Sequence, residues 1–203
     1  MRKIITTTFV TMDGVMQAPG APQEDTSGRF PYGGWSFHFW DMLMGGLMND
    51  IMAQPFELLL GSNTYDIFAA HWPTSKEEPV ASAFNGTRKY VVSDSPKKLS
   101  WQNSELVTGD VVGRLKQLKS QDGPDLWVHG SGAFIQTLLK NHLVDRMMVW
   151  TFPVTVGRGK RLFEADVPAQ EFKLVDSKTA STGVIIAIYE PAGELRLGSF
   201  AGT

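Results

Sequence analysis

Residues 3–12 alternate with a period of two. Ile4, Thr6, Thr8 and Val10 fall on one face, and Ile5, Thr7, Phe9 and Thr11 on the other; most are β-branched, and the run stops at Asp13-Gly14. This pattern predicts a strand entering a turn. Over residues 17–34 no period is sustained and Pro, Gly, Asp and Ser dominate, which predicts a long loop of the kind that is usually functional or mobile. The spacing then changes to three and four: Trp40, Leu43, Met44, Leu47, Met48, Ile51 and Met52 predict an amphipathic helix over 35–54, ended by Pro55. Gly45 and Gly46 lie inside it. Each costs about 1 kcal/mol relative to alanine in a helix interior, so the pair marks a kink, a close approach to the backbone by another group, or tight helix-to-sheet packing.

Further along, residues 56–60 form a strand of the buried type, and "GSNTYDIFAAHW" reads as a turn and a short helix. Strands are predicted at 88–93, 104–108, 125–129 and 146–154, with helices at 110–118 and 131–140. Residues 171–179 and 183–190 make a closing hairpin around "ASTG". Strands alternating with helices predict an α/β domain whose mixed, mostly parallel central sheet is flanked by helices and ends in an antiparallel hairpin. The expected organisation is one domain over 1–191 and a surface tail over 192–203.

Composition narrows the function. The 19 basic and 21 acidic residues leave the chain nearly neutral, with no basic stripe for nucleic acid. The absence of cysteine removes disulfides, thiolate nucleophiles and cysteine-ligated zinc. His38, His71, His129 and His142 show no metal-ligand spacing. No uncharged apolar run reaches the roughly 18 residues of a membrane span. A cytoplasmic protein with a small-molecule partner is expected, and neither a nucleic acid nor a membrane.

Two junctions share one design, an apolar strand ending in glycine, then small polar residues, then a helix: "LLLGSNTYDIF" and "LWVHGSGAFIQTLL". Each is either a capped strand-to-helix corner or half of a dinucleotide clamp, because helix N-termini beyond the carboxyl ends of parallel strands bind phosphate. The Rossmann fingerprint is not met, since Ile135 stands where its third glycine would be. His129 is either a pocket residue or a hydrogen-bonded structural one. Trp35, Phe37, Phe39 and Trp40 form either core or a platform for a flat ring. Asp41 is either a solvated carboxylate at the helix start or a candidate acid. "VGRGKRLF", 156–163, reads as a surface turn able to close over the active-site loop.

In chain order, "FVTMDGVM", "YGGW", "LLLGSNTYDIFAAHWP", "KYVVSDS", "VHGSGAFIQTLL", "LVDRMMVWTFPVTVGRGKRLF" and the last hairpin resemble the dihydrofolate reductase-like superfamily. Within it, the chain resembles the family of the reductase domain of the bifunctional riboflavin-biosynthesis deaminase-reductase, from Arg2 to Tyr189. The resemblance implies a homodimer that uses NADPH to reduce a small heterocycle, either pterin-like or a ribosylamino-pyrimidine. It places Gly61, Ser62, Asn63 and Thr64 at the pyrophosphate, and Ser93, Asp94 and Ser95 beside the adenosine ribose and its 2′-phosphate. Gly130, Ser131, Gly132, Ala133 and Phe134 fall at the second turn, and Phe9, Asp13, Val15 and Met16 at the nicotinamide. Trp35, Trp40 and Gly45 fall at the substrate. Two departures stand out. Ser62 replaces the family's usual phosphate-binding arginine, for which Lys97, Lys98 or Arg88 would have to compensate. Counting back from Gly61, the pterin-binding acid of dihydrofolate reductases falls near Gly45, which points away from folate. A non-catalytic nucleotide-binding or scaffold protein is the alternative, and a flavin-binding module is a third reading.

Overall fold

The computed structural model describes residues 1–130, 132–165 and 167–200. Ser131 and residues 201–203, the end of the expected tail, lie outside the described residues. The elements are β1 (Ile4–Thr11), α1 (Met42–Ala53), β2 (Phe56–Gly61), α2 (Ser62–His71), α3 (Val80–Gly86), β3 (Lys89–Val92) and β4 (Ser104–Val107). They continue with α4 (Val111–Ser120), β5 (Asp125–His129), α5 (Gly132–Lys140), β6 (Arg146–Phe152), β7 (Gln170–Thr179) and β8 (Ile185–Glu194). The strands form a single sheet in the order β4-β3-β2-β5-β1-β6-β8-β7. Five adjacent pairs, from β4 to β6, are parallel, and the β6-β8-β7 end is antiparallel, as the strand and helix pattern predicts.

The period-two alternation of β1 sorts the core into two layers. Ile4 and Val10 pack with Leu115 and Leu118 of α4 and with Ile135, Leu138 and Leu139 of α5. Ile5 faces the other side, with Met44, Ile51 and Met52 of α1, Tyr65 of α2 and Phe84 of α3. β1 lies between two other strands and is covered on both faces, so its threonines are almost completely buried. Their β-branched shape suits a central strand even though their hydroxyls do not.

Several boundaries differ from the sequence pattern for local reasons. α1 begins at Met42 because Trp40 is extended and Asp41 caps the helix; a single 3-10 turn at 37–39 precedes it. The Gly45-Gly46 pair leaves α1 unbroken. A Cβ on Gly45 would lie 3.8 Å from the Trp40 indole nitrogen, and one on Gly46 would meet only open space. α3 has no counterpart in the sequence reading. β8 runs past Pro191 into the expected tail, since beyond Tyr189 its ladder is with β7 alone and the missing proline N–H removes no bond to β6. Arg196 then clasps the Glu171 carboxylate with both forks of its guanidinium. Among the described residues, no helix is long and apolar enough to cross a membrane.

At the amino end of β3, Lys89 is fully buried. It donates to the carbonyls of Thr87 (2.8 Å) and Asn85 (3.3 Å), and its ammonium sits 4.2 Å from the centre of the Trp101 ring. Burial pushes its pKa down to about 8. Between that value and the unfolded value near 10.5, the unfolded chain holds a proton that the folded chain has released, so stability from this group rises with pH. In urea unfolding, the margin of wild type over Lys89→Met is therefore expected to be larger at pH 10 than at pH 7, by ~2 kcal/mol.

Candidate cofactor and substrate site

Because β1, β2 and β5 are parallel neighbours, Thr11, Gly61 and His129 end at one edge of the sheet. The two glycine junctions, about seventy residues apart in sequence, therefore open side by side. At the same edge β3 ends next to β2, bringing Ser93, Asp94 and Ser95 alongside Ser62. Ser93 is buried, and its hydroxyl accepts from the Ser95 N–H at 3.4 Å; Asp94 is exposed.

The turn after β1 is held by its own polar atoms. The Thr11 hydroxyl donates to Asp13 at 2.5 Å and accepts from the Val15 N–H at 2.9 Å. The other contacts of Asp13 are to the 156–163 segment, with the N–H groups of Val156 (3.3 Å) and Gly157 (2.8 Å) donating to its carboxylate. The Thr11 hydroxyl and these amides hold its carboxyl below the ordinary value. Arg161 donates to the Asp13 carbonyl, the Lys160 ammonium meets Asp25 at 2.6 Å, and the Lys160 N–H donates to the Gln17 side chain at 3.1 Å. Gly159 lies so close that a Cβ there would stand 2.6 Å from Val15 and 3.0 Å from Phe30. The "VGRGKRLF" segment thus closes over the β1 turn, and Asp13 serves as its clasp. Val15 is enclosed with Ala18 and Phe30, and Met16 and Phe134 are buried in the layer of α4 and α5. Of the four residues expected at the nicotinamide, only Phe9 lies in the aromatic cluster beside α1.

At the junction of β2 and α2, Gly61 caps the helix with extended backbone, and among the described residues no side chain caps its first-turn amides. Asn63 is exposed there and Thr64 buried. Lys97 reaches over this turn. Its ammonium donates to the Ser62 hydroxyl (2.8 Å), the Ser62 carbonyl (3.1 Å) and the Asp66 carboxylate (2.6 Å), and lies 5.5 Å from the Tyr65 ring centre. Of the three cations weighed against the missing arginine, Lys97 is the one at Ser62. Arg88 is at the opposite edge, paired with Glu105 and lying over Tyr90. Lys98 is exposed.

The aromatic residues divide into core and mouth. Phe9 packs against Trp150 (5.3 Å between ring centres) and Phe152 (5.2 Å). Trp35 meets Phe152 edge-on, and its indole N–H donates to the Gln17 carbonyl at 2.8 Å, making it a strut for the long loop. Trp40 stacks parallel on Trp150 at 6.2 Å and is 44% exposed. Asp41 accepts from the Met44 N–H (3.0 Å) with one oxygen, and from the Ser181 N–H (2.8 Å) and hydroxyl (2.7 Å) with the other. The Met44 amide and the Ser181 hydroxyl hold its carboxyl below the ordinary value. It works as a helix cap and as a strut to the β7-β8 turn, in the wrong protonation state to give up a proton at neutral pH.

At the end of β5, Gly130 has φ +70 with no atom within 4 Å of a would-be Cβ, so this position requires glycine for its backbone conformation rather than for space. Gly132 is tight instead, its would-be Cβ 3.4 Å from the Met16 sulfur. Ala133 is exposed. His129 precedes the turn, flanked by Phe84 (5.0 Å) and Trp127 (6.0 Å); its Nε2 is buried without a hydrogen-bond partner, and burial pushes its pKa down to about 4. Sequence reasoning missed Gln17 and Thr11, which hold the loops. A glutamine between a turn and a proline-rich loop carries no local signal of the contacts it makes.

This geometry, a parallel sheet with two glycine junctions at one edge and an antiparallel end, defines a dihydrofolate reductase-like fold. It is shared with a dihydrofolate reductase from Enterococcus faecalis solved in complex with NADP(H) and RAB-propyl, at TM-score 0.58 and 13% identity, covering 94% of this chain and 96% of that one. A putative riboflavin biosynthesis protein from Shewanella sp. PV-4 matches at TM-score 0.67 and 20% identity, over 93% and 98% of the two chains. A pyrimidine reductase-like protein from Corynebacterium diphtheriae matches at TM-score 0.61 and 10% identity, over 95% and 93%. The model of the RibD C-terminal domain matches residues 2–186, and the chain belongs to that family. A relative, the uncharacterized protein YyaP of Bacillus subtilis (strain 168), is 24% identical over 192 residues, 93% of this chain and 94% of that one.

Two substitutions separate struts from chemistry. Asp13→Ala is expected to release the 156–163 segment, read as faster tryptic cleavage at Arg158, Lys160 and Arg161 in the folded protein. Asp41→Asn is expected to lower the thermal midpoint by several degrees, measured by tryptophan fluorescence during heating.

Proposed function

We propose that the protein is an NADPH-dependent reductase that transfers a hydride to a small heterocyclic substrate. The observation that carries this reading is the Lys97 ammonium on the Ser62 hydroxyl and carbonyl, which returns a cation to the phosphate end where the family's arginine is missing. The chain fits the cofactor at three places. The first-turn amides of α2, after Gly61, have no side-chain cap among the described residues and would take the pyrophosphate. Lys97, with Ser62, Ser93 and Ser95, offers charge and hydroxyls to the 2′-phosphate. The Gly130-Gly132 turn, packed on Met16, would lie beside the nicotinamide, with Phe9 behind it. When bound, the dinucleotide supplies the hydride. The protein's part is orientation and exclusion of water, which hydride transfer requires more than a nucleophile. The clasped 12–17 and 156–163 segments form a rigid wall for that purpose, and half-exposed Trp40 offers a face to a flat ring.

A second reading, a nucleotide-binding protein without turnover, is favoured by two observations. All three protons of the Lys97 ammonium already have acceptors, one of them the Asp66 carboxylate, and Asp41 is occupied on both oxygens. Titration of NADPH and NADH against tryptophan emission, followed by assay of NADPH oxidation over pterins and pyrimidines, distinguishes the two. Binding with oxidation is expected; binding without oxidation on any of these substrates would favour the second reading, and no binding of either dinucleotide at millimolar concentration would remove both. Lys97→Met is expected to weaken NADPH about tenfold while changing NADH less than twofold, the difference of one charge-assisted contact.

A further inference from the structure

At the edge of the sheet opposite the glycine junctions, the β7-β8 ribbon outruns the strand beside it. β6 begins at Arg146, and its outermost rung with β8 pairs Met147 with Tyr189, whereas β8 stays paired to β7 as far as Glu194. The chain before β6 turns back toward α5 instead: His142, at φ +51, donates its N–H to the Leu139 carbonyl at 3.1 Å. Between the ribbon and this turn lies a cavity of about 410 Å³, within the size range of small-molecule sites.

Its floor is apolar and its rim is charged. Leu139 and Val144 are buried, Phe172 is half-buried and Pro191 is exposed. The two acids of the rim are already matched. Asp145 accepts from the Lys119 ammonium at 2.5 Å and from the Ile4 N–H at 2.7 Å. Glu190 accepts from Nη2 (2.5 Å) and Nε (3.1 Å) of Arg146; this contact holds its carboxyl below the ordinary value, and Lys3 and Lys173 add to the effect. Both of these lysines are exposed, and among the described residues their ammonium groups make no hydrogen bond. Asp125, which accepts from the Lys3 N–H at 2.7 Å, lies outside the lining. Even with Asp125 counted, the four cations Lys3, Lys119, Arg146 and Lys173 outnumber the carboxylates.

We propose that this notch is a second binding site, remote from the glycine junctions, for a small apolar acid bearing a single carboxylate. The carboxylate meets Lys3 and Lys173, and the hydrocarbon body covers Leu139, Val144 and Phe172. Exposed charge pairs contribute little, so most of the affinity comes from the floor, and the lysines decide the sign of the charge. A phosphate is the poorer match. The C-terminal end of α5, the negative end of its dipole, borders the notch, and the Arg146 fork is engaged on Glu190. The proposal is independent of the reductase reading, since every group it uses stands at the far edge of the sheet.

The test titrates 2-naphthoate into the protein at pH 7 and follows backbone amide shifts by NMR. Shifts are expected to centre on Leu139, Val144 and Phe172, with no displacement by NADPH. Affinity is expected to be about fivefold higher than for uncharged 2-naphthamide, the size of an exposed charge contact, and no lower than for 2-naphthyl phosphate. Combining Lys3→Glu with Lys173→Glu, two exposed positions, is expected to remove the preference for naphthoate over naphthamide while the folded spectrum is kept. Shifts centred on the Gly61 or Gly130 turn would overturn the proposal. So would equal affinity for the amide, tighter binding of the phosphate, an unchanged preference in the double variant, or no binding of naphthoate at tens of millimolar.

Discussion

The site depends on the insertion of β5 between β1 and β2. The parallel ladders Ile4 to Thr7 with Leu126 to His129, and Phe56 to Leu58 with Asp125 to Trp127, bring three carboxyl ends to one edge of the sheet, with β1 running on to Thr11, past the end of β5. Parallel strands need helical crossovers, so each carboxyl end leads into a turn or a helix N-terminus, and the free amides of those turns collect at one edge. With β5 at a sheet margin, the Gly61 and Gly130 turns would face different solvent. In its central position they open at the same edge.

Charge at this edge is arranged by local capture. Asp41, which sequence alone leaves as a candidate acid, and Asp13 are drawn into backbone amides and serve as cap and clasp. Lys97, from the loop after β3, comes to a serine thirty-five residues earlier. The result is a cation at the Gly61 turn and neutral polar groups at the end of β5.

The strands were readable because their patterns are unambiguous: β1 alternates with β-branched residues, and β2 and β5 are short apolar runs ended by turn residues. Both glycine junctions were readable for the same reason. α1 was read as starting seven residues too early, because Trp35, Phe39 and Trp40 continue the helical spacing while packing on Phe9, Phe152 and Trp150 through tertiary contacts. α3 escaped notice because its seven residues include an asparagine and a glycine, and its helicity rests on burying Ala81 and Phe84. Val15 and Phe134 read as pocket residues by position, yet they are core, since which way a side chain at a turn points is decided by the segment lying over it.

By itself the sequence determined the α/β alternation, the two junctions, the near-neutral charge and the absence of cysteine chemistry, all of which are local patterns or counts. Tertiary structure decided which cation reaches Ser62, that Asp13 clasps the 156–163 segment, and that His129, Thr7 and Trp150 share one face with their polar atoms unpaired. These depend on strand order and register, and a side chain carries no local record of which residue, thirty or a hundred and forty positions away, the sheet will place against it.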